Sequence, residues 1–164
     1  MLRFDPIDAL QQEHLALQKM FALHQEALVT RAWARAAHLL EHYQKRFARH
    51  VELEERFLLP YCPKEKTAAQ WPASVYTSEH RRAEEFLQKA AAQLALARRR
   101  GVKPSALIAL LDHEKTFKGL IEHHDEREEK ALFCLLREAM PEDVQLGLIK
   151  ALRHPQAGAH ESAV

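Results

Sequence analysis

The sequence His-Val-Glu-Leu-Glu-Glu at residues 50–55 recurs as His-Asp-Glu-Arg-Glu-Glu at residues 124–129. Each copy follows a Glu-His pair, the first at residues 13–14 and the second at residues 79–80. The chain therefore contains two related halves, and each half supplies two histidines and a glutamate four residues after the second histidine. If four helices bring these side chains to one level, they form a metal site.

The composition indicates one domain built from long helices. The chain has 164 residues, enough to bury a core. Of these residues 47% are hydrophobic and only four are glycine, which favours long helices. The formal net charge is +1, without the basic excess that nucleic-acid-binding proteins gather on one face. We therefore expect no nucleic-acid partner.

The sequence also bears on the compartment. No stretch approaches the ~18 consecutive apolar residues of a membrane span, and the first residues lack the apolar region of a signal peptide. Cys62 and Cys134 do not make a disulfide framework. Two independent free thiols are expected, with a redox-linked pair as the alternative. We expect a soluble, cytoplasmic protein without membrane association.

Caps, breakers and apolar periodicity predict four long helices and a short fifth. Asp5 is a suitable N-cap and Pro6 suits the first helical position. His14 falls within the apolar stripe of this helix. Thr30 is the best N-cap for a second helix, which stops at Pro60. The predicted bounds of the later helices are residues 30–59, 73–100, 104–139 and 142–152.

The predicted fold is all-α, because no strand-like alternation is sustained anywhere in the sequence. Four long helices joined by mostly short connections predict an up-down-up-down antiparallel four-helix bundle with a short C-terminal fifth helix. Residues 1–152 are predicted to form this one domain. Residues 153–164 are predicted to be a flexible tail. The sequence indicates neither an oligomeric state nor a partner protein.

Helix geometry indicates that the repeated polar side chains can meet. Residues four apart lie about 40° apart and one turn along the same helix face, so each His-x-x-x-Glu motif can present two ligand atoms to one spot. When residues are counted from the connection between the first two helices, the positions of His14 and His50 along the bundle axis agree within about 6 Å. His80 and His124 nearly coincide in height.

Burial of these six side chains points to metal ions. Placing six ionisable groups at one level of an apolar core costs several kcal/mol for each unpaired charge, and a pair of cations removes that cost. Imidazole with carboxylate suits iron, manganese or zinc, whereas the shortage of thiolates argues against an iron–sulfur cluster. Two glutamates from different helices can bridge two metals. We predict a dinuclear site, with a mononuclear or structural polar core as the alternative.

Over residues 5–138 the chain resembles the haemerythrin/HHE cation-binding family. The order of motifs is the family's: a histidine, then His-x-x-x-Glu, then a histidine, then His-x-x-x-Glu. The resemblance implies a non-haem di-iron centre with an oxo or hydroxo bridge, while zinc and manganese accept the same ligands. The ligands implied by the motifs are His14 and His50 on one iron, His80 and His124 on the other, and Glu54 and Glu128 as bridges.

The third helix departs from the family's oxygen carriers. Those proteins resemble His-x-x-x-His there, whereas this chain has His80-Arg-Arg-Ala-Glu84. Glu84 is a candidate metal ligand in place of an imidazole; the alternative is a solvated residue that pairs with Arg81 or Lys89. A carboxylate there would make the site harder and would disfavour reversible oxygen storage.

Other polar residues near the motifs have weaker signals. His123 lies about 100° round the helix from His124, and it is the alternative ligand if the fourth motif is His-x-x-x-x-Glu. Tyr43 lies two turns before His50 and is predicted to be a core residue, with a role beside the metals as the alternative. His24 has no signal. The glutamates that flank the motifs are expected either to bond a ligand imidazole or to form surface salt bridges: Glu13, Glu55, Glu79 and Glu129.

These patterns predict a protein that binds or senses a small ligand, namely O2, NO or peroxide. Two alternatives differ in what they predict. A metalloenzyme or iron-handling protein would show turnover of peroxide or NO, or release of iron. A bundle that is only stapled by its metal would lose thermal stability on metal removal but would show no response to any gas.

Overall fold

The structure is a computed structural model that describes residues 5–153. These residues are helical apart from the connections, and no strand occurs among them, so the predicted all-α class is confirmed. The elements are α1 (Pro6–Val29), α2 (Trp33–Phe57), a 3-10 turn (Leu59–Tyr61), α3 (Ala73–Arg100), α4 (Pro104–Arg127), a π-helical turn (Glu128–Leu132), α5 (Phe133–Ala139) and α6 (Glu142–Arg153).

The first helix begins as predicted but ends differently. The Asp5 side chain accepts a hydrogen bond from the Ile7 backbone N–H at 2.8 Å, which caps the N-terminus. Thr30, predicted as the N-cap of the second helix, instead closes α1. Its hydroxyl donates to the Glu26 carbonyl at 2.8 Å, a local bond that competes with N-capping. The next residue, Arg31, has a φ of 59°, so the chain reverses in a left-handed turn before α2 starts at Trp33.

The predicted fourth helix has the expected extent but an irregular centre. Residues 104–139 are helical, yet Glu128–Leu132 form a π-helical turn between α4 and α5. The backbone N–H of Phe133 donates to the Glu128 carbonyl five residues earlier, which is the hydrogen bond that defines this turn. Two side chains bond carbonyls within it: the Cys134 thiol donates to Glu129 at 3.3 Å, and the Gln70 amide donates to Ala131 at 3.1 Å.

Two apolar clusters lie on either side of a polar layer. The first cluster includes Leu17, Phe47 and Ile121, and the second includes Leu10, Leu53 and Phe133. Along α1 and α3 the chain passes from the second cluster through the polar layer to the first. Along α2, and along α4 and the π-helical turn that follows it, the chain passes in the reverse order. Helix α1 packs against α2 and α4, and α3 packs against α2 and α4.

Helix α6 forms as predicted and contacts α1 and α2 beside the second cluster. Its Leu148 is fully buried. The predicted tail lies outside the described residues except for Arg153, the last residue of α6. None of the helices described has both the length and the apolar composition needed to cross a membrane.

Candidate metal centre

The polar layer is formed by four histidines and two glutamates from the long helices and the π-helical turn. All six side chains are buried, with at most 3% of any residue exposed. They are His14 from α1, His50 and Glu54 from α2, His80 from α3, His124 from α4, and Glu128 at the start of the π-helical turn. These are the residues that the repeated motifs identify, and the structure brings them together in two groups.

The first group contains the histidines of α1 and α2. The Nε2 atoms of His14 and His50 lie 2.9 Å apart. Glu54 Oε1 is 2.8 Å from the His50 Nε2 atom, and Glu128 Oε2 is 3.3 Å from the His14 Nε2 atom. The ligand atoms of these four residues all lie within 4.8 Å of one another, so a single cation can contact all of them.

The second group contains the histidines of α3 and α4. The Nε2 atoms of His80 and His124 lie 3.2 Å apart. Glu54 Oε2 is 3.3 Å from His80 Nε2, and Glu128 Oε1 is 3.3 Å from His124 Nε2. Each glutamate therefore places one oxygen in each group. This is the arrangement of a bridging carboxylate.

The donor atoms of these residues suit a bound cation better than they suit one another as hydrogen-bond partners. Both carboxylate oxygens of Glu54 and of Glu128 are buried and lack a hydrogen-bond partner among the described residues. Buried polar atoms without partners are uncommon because their desolvation is not compensated. Imidazole nitrogens and carboxylate oxygens at these distances are ligands that iron, zinc and manganese accept. The residues present therefore fit a cation in each group.

Without a metal, the histidines and glutamates stabilise each other's charged forms. Burial alone would lower the pKa of His14, but its contacts with Glu128 and Glu54 outweigh burial and raise that pKa to about 11. In the same way, contact with Glu128 raises the pKa of His124 despite burial. Burial would raise the pKa of Glu54, but His50, His14 and His80 hold it well below its usual range. A metal must displace these protons.

Glu84 does not join the centre, and the expectation that it serves as a ligand is corrected. Its side chain is exposed and belongs to neither group. Measured from His80 around α3, the buried residues Ala83 and Leu87 lie about 20–60° to one side, whereas Glu84 lies about 40° to the other. Glu84 is solvent-exposed, as the alternative held, but it makes no ion pair with Arg81 or Lys89. His123 is exposed too, so His124 is the residue of the fourth motif that reaches the centre.

Two of the four flanking glutamates bond an imidazole of the second group. Glu55 accepts from His80 Nδ1 and Glu79 accepts from His124 Nδ1, each at 3.0 Å. Glu13 instead forms a salt bridge with Arg46. Glu129 Oε1 lies 3.6 Å from His14 Nδ1 and makes no hydrogen bond with it. Both predicted alternatives therefore occur: Glu55 and Glu79 bond imidazoles, and Glu13 forms a salt bridge.

Two buried residues near the centre were not predicted from the sequence. Asp125 is 8% exposed, accepts a hydrogen bond from the Gln18 amide at 3.0 Å, and places Oδ1 4.0 Å from His14 Nε2. Burial raises its pKa. Tyr76 is fully buried with its ring edge-on to His124, at 6.2 Å between centroids, and its hydroxyl has no partner among the described residues. Tyr43 packs in the first apolar cluster, as predicted.

A second buried polar pair lies away from the centre. His24 Nδ1 donates to the Ala36 carbonyl at 2.8 Å, and its Nε2 atom forms a 2.8 Å hydrogen bond with Glu114 Oε1. The Gln25 amide donates to the other Glu114 oxygen at 3.1 Å. The sequence did contain a signal for this pair, because His24 lies on the stripe of Leu17 and Phe21, a polar residue on an apolar face.

The two cysteines are free thiols, as predicted. Cys134 is exposed and Cys62 is half-buried. Burial raises the pKa of Cys62 to about 11, so this thiol is a poor nucleophile at neutral pH. Neither residue belongs to the two groups of candidate ligands.

Comparison with known proteins agrees with this geometry. The family model of the Hemerythrin HHE cation binding domain matches residues 5–136. Comparison with curated proteins and with solved structures gives no match. The matched region contains all six residues of the polar layer.

Proposed function

Because this chain belongs to the hemerythrin HHE cation binding domain family, we propose that its polar layer holds two iron ions and that this centre binds or senses O2, NO or peroxide. One observation supports two ions rather than one: Glu54 and Glu128 each place one oxygen in each group. A single cation would leave two carboxylate oxygens buried without a hydrogen-bond partner, at a cost of about 1–3 kcal/mol for each.

The chain's own residues have a defined role in this proposal. The histidines and glutamates hold the ions, and the apolar clusters on both sides keep bulk water from them. Two iron ions bound in this way would supply redox chemistry and coordination positions that the protein leaves open to a small ligand. Zinc and manganese accept the same donors, so metal identity is the first point to measure.

A cavity near the first group supports the proposal that the ligand is small. It has a volume of about 200 Å³, below the roughly 300–1,000 Å³ of pockets for drug-sized molecules. Its apolar lining consists of Phe21, Tyr43, Phe117 and Ile121. Gln18, which also lines the cavity, bonds Asp125 beside His14. We propose that a molecule of a few atoms reaches the centre from this side.

We also propose the up-down-up-down antiparallel bundle for the four long helices. The order of the two apolar clusters along α1 and α3 is opposite to that along α2 and α4, which supports alternating helix directions. The pairs of helices in contact, α1 with α2 and α4, and α3 with α2 and α4, are those of a four-membered ring. A cytoplasmic location is retained as a proposal from the sequence.

The test is metal analysis of protein purified without oxygen, followed by optical spectra with O2, NO and peroxide. We expect two irons per chain and absorption bands that change when a ligand is added. Fewer than about 1.5 metals per chain would contradict the dinuclear centre. Steady-state turnover of peroxide or NO, or release of iron, would favour the enzyme or iron-handling alternative. A full complement of iron with no spectral response to any of the three ligands would favour a structural metal.

A further inference from the structure

The repeat in the sequence predicts a symmetric centre, but the hydrogen bonds to its histidines are not symmetric. Each half carries a glutamate before its first histidine and a second glutamate after its His-x-x-x-Glu motif. In the second group, both imidazoles donate through Nδ1 to such glutamates: His124 to Glu79 and His80 to Glu55, each at 3.0 Å.

The first group lacks both of these bonds. The Nδ1 atoms of His14 and His50 are buried and have no hydrogen-bond partner among the described residues. By the repeat, Glu13 corresponds to Glu79 and is the expected partner of His50. Both Glu13 oxygens instead accept hydrogen bonds from Arg46, one of them at 2.8 Å.

Two local differences between the halves account for this. Arg46 lies four residues before His50, where the second half has Leu120, and it occupies both oxygens of Glu13. In the second half Arg127 bonds Glu79 through Oε1 alone, so Oε2 is left to accept from His124. The other missing partner is Glu129, which corresponds to Glu55. Glu55 lies in regular helical backbone, whereas Glu129 lies in the π-helical turn and stays 3.6 Å from His14 Nδ1.

We propose that the two metal positions therefore differ in affinity, with the His80/His124 position holding its cation more tightly than the His14/His50 position. A carboxylate that accepts from Nδ1–H fixes the ring orientation and increases the basicity of the opposite nitrogen, and loss of such a partner typically lowers metal affinity roughly 10–100-fold. The inference rests on the proposed two-metal centre. It assigns Glu55 and Glu79 as positioning residues that act through the imidazoles.

The two positions should therefore bind their metals in two steps. When metal is limiting, the chain holds one cation in the second group, and the first group fills only at higher metal concentration. The first group is also the one beside Asp125 and the cavity. The position that exchanges its metal more readily is thus the one nearer the route that we propose for small ligands.

The experiment uses Co²⁺ as the probe, titrated anaerobically into metal-free full-length protein against a competing chelator. We expect two binding steps whose affinities differ roughly 10–100-fold. A crystal of the protein with one equivalent of Co²⁺ should show its anomalous signal between His80 and His124. Two metals bound in one unresolved step, or a first equivalent located between His14 and His50, would overturn the proposal.

Matched variants separate positioning from general destabilisation. Glu79→Gln and Glu55→Gln should each weaken the tighter step and leave the weaker one unchanged. Glu13→Gln is the control, because this carboxylate bonds Arg46 and no ligand; both steps should be retained. Equal effects of Glu79→Gln and Glu13→Gln would contradict the assignment.

A gain of affinity provides the sharpest test. Arg46→Leu places in the first half the residue found at position 120 in the second, and it frees Glu13 to accept from His50. The weaker step should then strengthen, and the two steps should approach each other. An unchanged or weaker second step would overturn the role given to Arg46. Saturation at one metal would instead contradict the dinuclear centre of the proposed function, and this inference with it.

Discussion

In the proposed centre, both metal positions depend on Glu54 and Glu128. Both are fully buried, and each faces imidazoles on two sides. Their charge and their second oxygen are needed together, since a carboxylate with one free oxygen can serve only one group. An amide of the same size keeps the packing but presents one neutral oxygen and one NH2 group, which cannot ligate.

The variant Glu54→Gln should therefore lower the metal content from two ions to one or none per chain. Elemental analysis after anaerobic purification measures this directly. Glu84→Gln is the matched control, because the same change is made on an exposed carboxylate one turn from a ligand histidine. It should leave the metal content unchanged, and a loss of metal in Glu84→Gln would show that its exclusion from the centre is wrong.

The case of Glu84 shows what residue spacing can and cannot decide. All six candidate ligands follow from the repeated motifs, because a helix places residues four apart on one face. That rule also admitted Glu84, one turn after His80. Around α2 and α4, the buried stripe lies on the same side of the histidine as the residue four positions later. On α2, for example, Phe47 and Glu54 both lie on that side of His50. On α3 the stripe lies on the other side of the histidine, and only the packed helices fix which side is inward.

At the scale of the helical elements, the π-helical turn is the feature that could not be predicted from the sequence. Its five residues, Glu-Glu-Lys-Ala-Leu, are all good helix formers, so no local signal marks it. The reason for it lies in packing. Five residues of regular α-helix turn about 500°, which would rotate Phe133 about 140° from Glu128. With the Phe133 N–H bonded to the Glu128 carbonyl, both side chains face inward, and the Phe133 ring stacks on His14 at 5.6 Å between centroids.

Deletion of Lys130, an exposed residue of this turn, should restore regular α-helix and keep α5 in register. Phe133 would then follow Glu128 by four residues, which turn about 400° and place its side chain about 40° from that of Glu128. Phe133 and Leu136 should therefore stay in the second apolar cluster, with Phe133 still packed against His14. The midpoint of urea unfolding and the metal content should both stay close to those of the unmodified chain.

The control for this deletion is Lys130→Ala, which removes only the exposed ion pair with Glu126. Such pairs contribute about 0–1 kcal/mol, so stability and metal content should stay close to those of the unmodified chain. A deletion variant that loses either property, while Lys130→Ala keeps both, would mean that the packing of α5 needs the extra residue of the π-helical turn.

At the scale of the whole molecule, the centre is a layer of charge inside an apolar bundle. The helices, their approximate bounds and the all-α class follow from periodicity and breakers, because long amphipathic helices leave few ways to bury their stripes. The buried pair of His24 and Glu114 does not follow as readily. Its existence depends on α1 and α4 meeting at the same height, which is a property of the assembled helices and of no single segment.

Metal removal should lower the stability of the fold by an amount that depends on pH. Two sites that bind only the folded chain each stabilise it by about 2.7 kcal/mol at a metal concentration 100 times the Kd. At about 2–4 °C per kcal/mol for a chain of this size, a chelator should lower Tm by roughly 10–20 °C. Scanning calorimetry with and without chelator measures the difference, and its recovery on restoring the metal is the control.

The sign of the pH dependence follows from His14 and Glu54. In the metal-free protein the pKa of His14 is raised to about 11, so this imidazole holds a proton at neutral pH, and metal binding must release it. Acidification from pH 8 to pH 6.5 therefore weakens metal binding. Over the same interval the raised pKa of His14 makes the metal-free fold more stable, since that contribution is complete below the unfolded pKa and is lost as pH rises toward 11. The lowered pKa of Glu54 contributes stability that is lost only at more acidic pH. Weaker metal binding and a more stable metal-free fold both reduce the Tm difference between metal-bound and metal-free protein, so this difference should shrink on acidification. A difference that widens would contradict the assignment of His14 as a ligand.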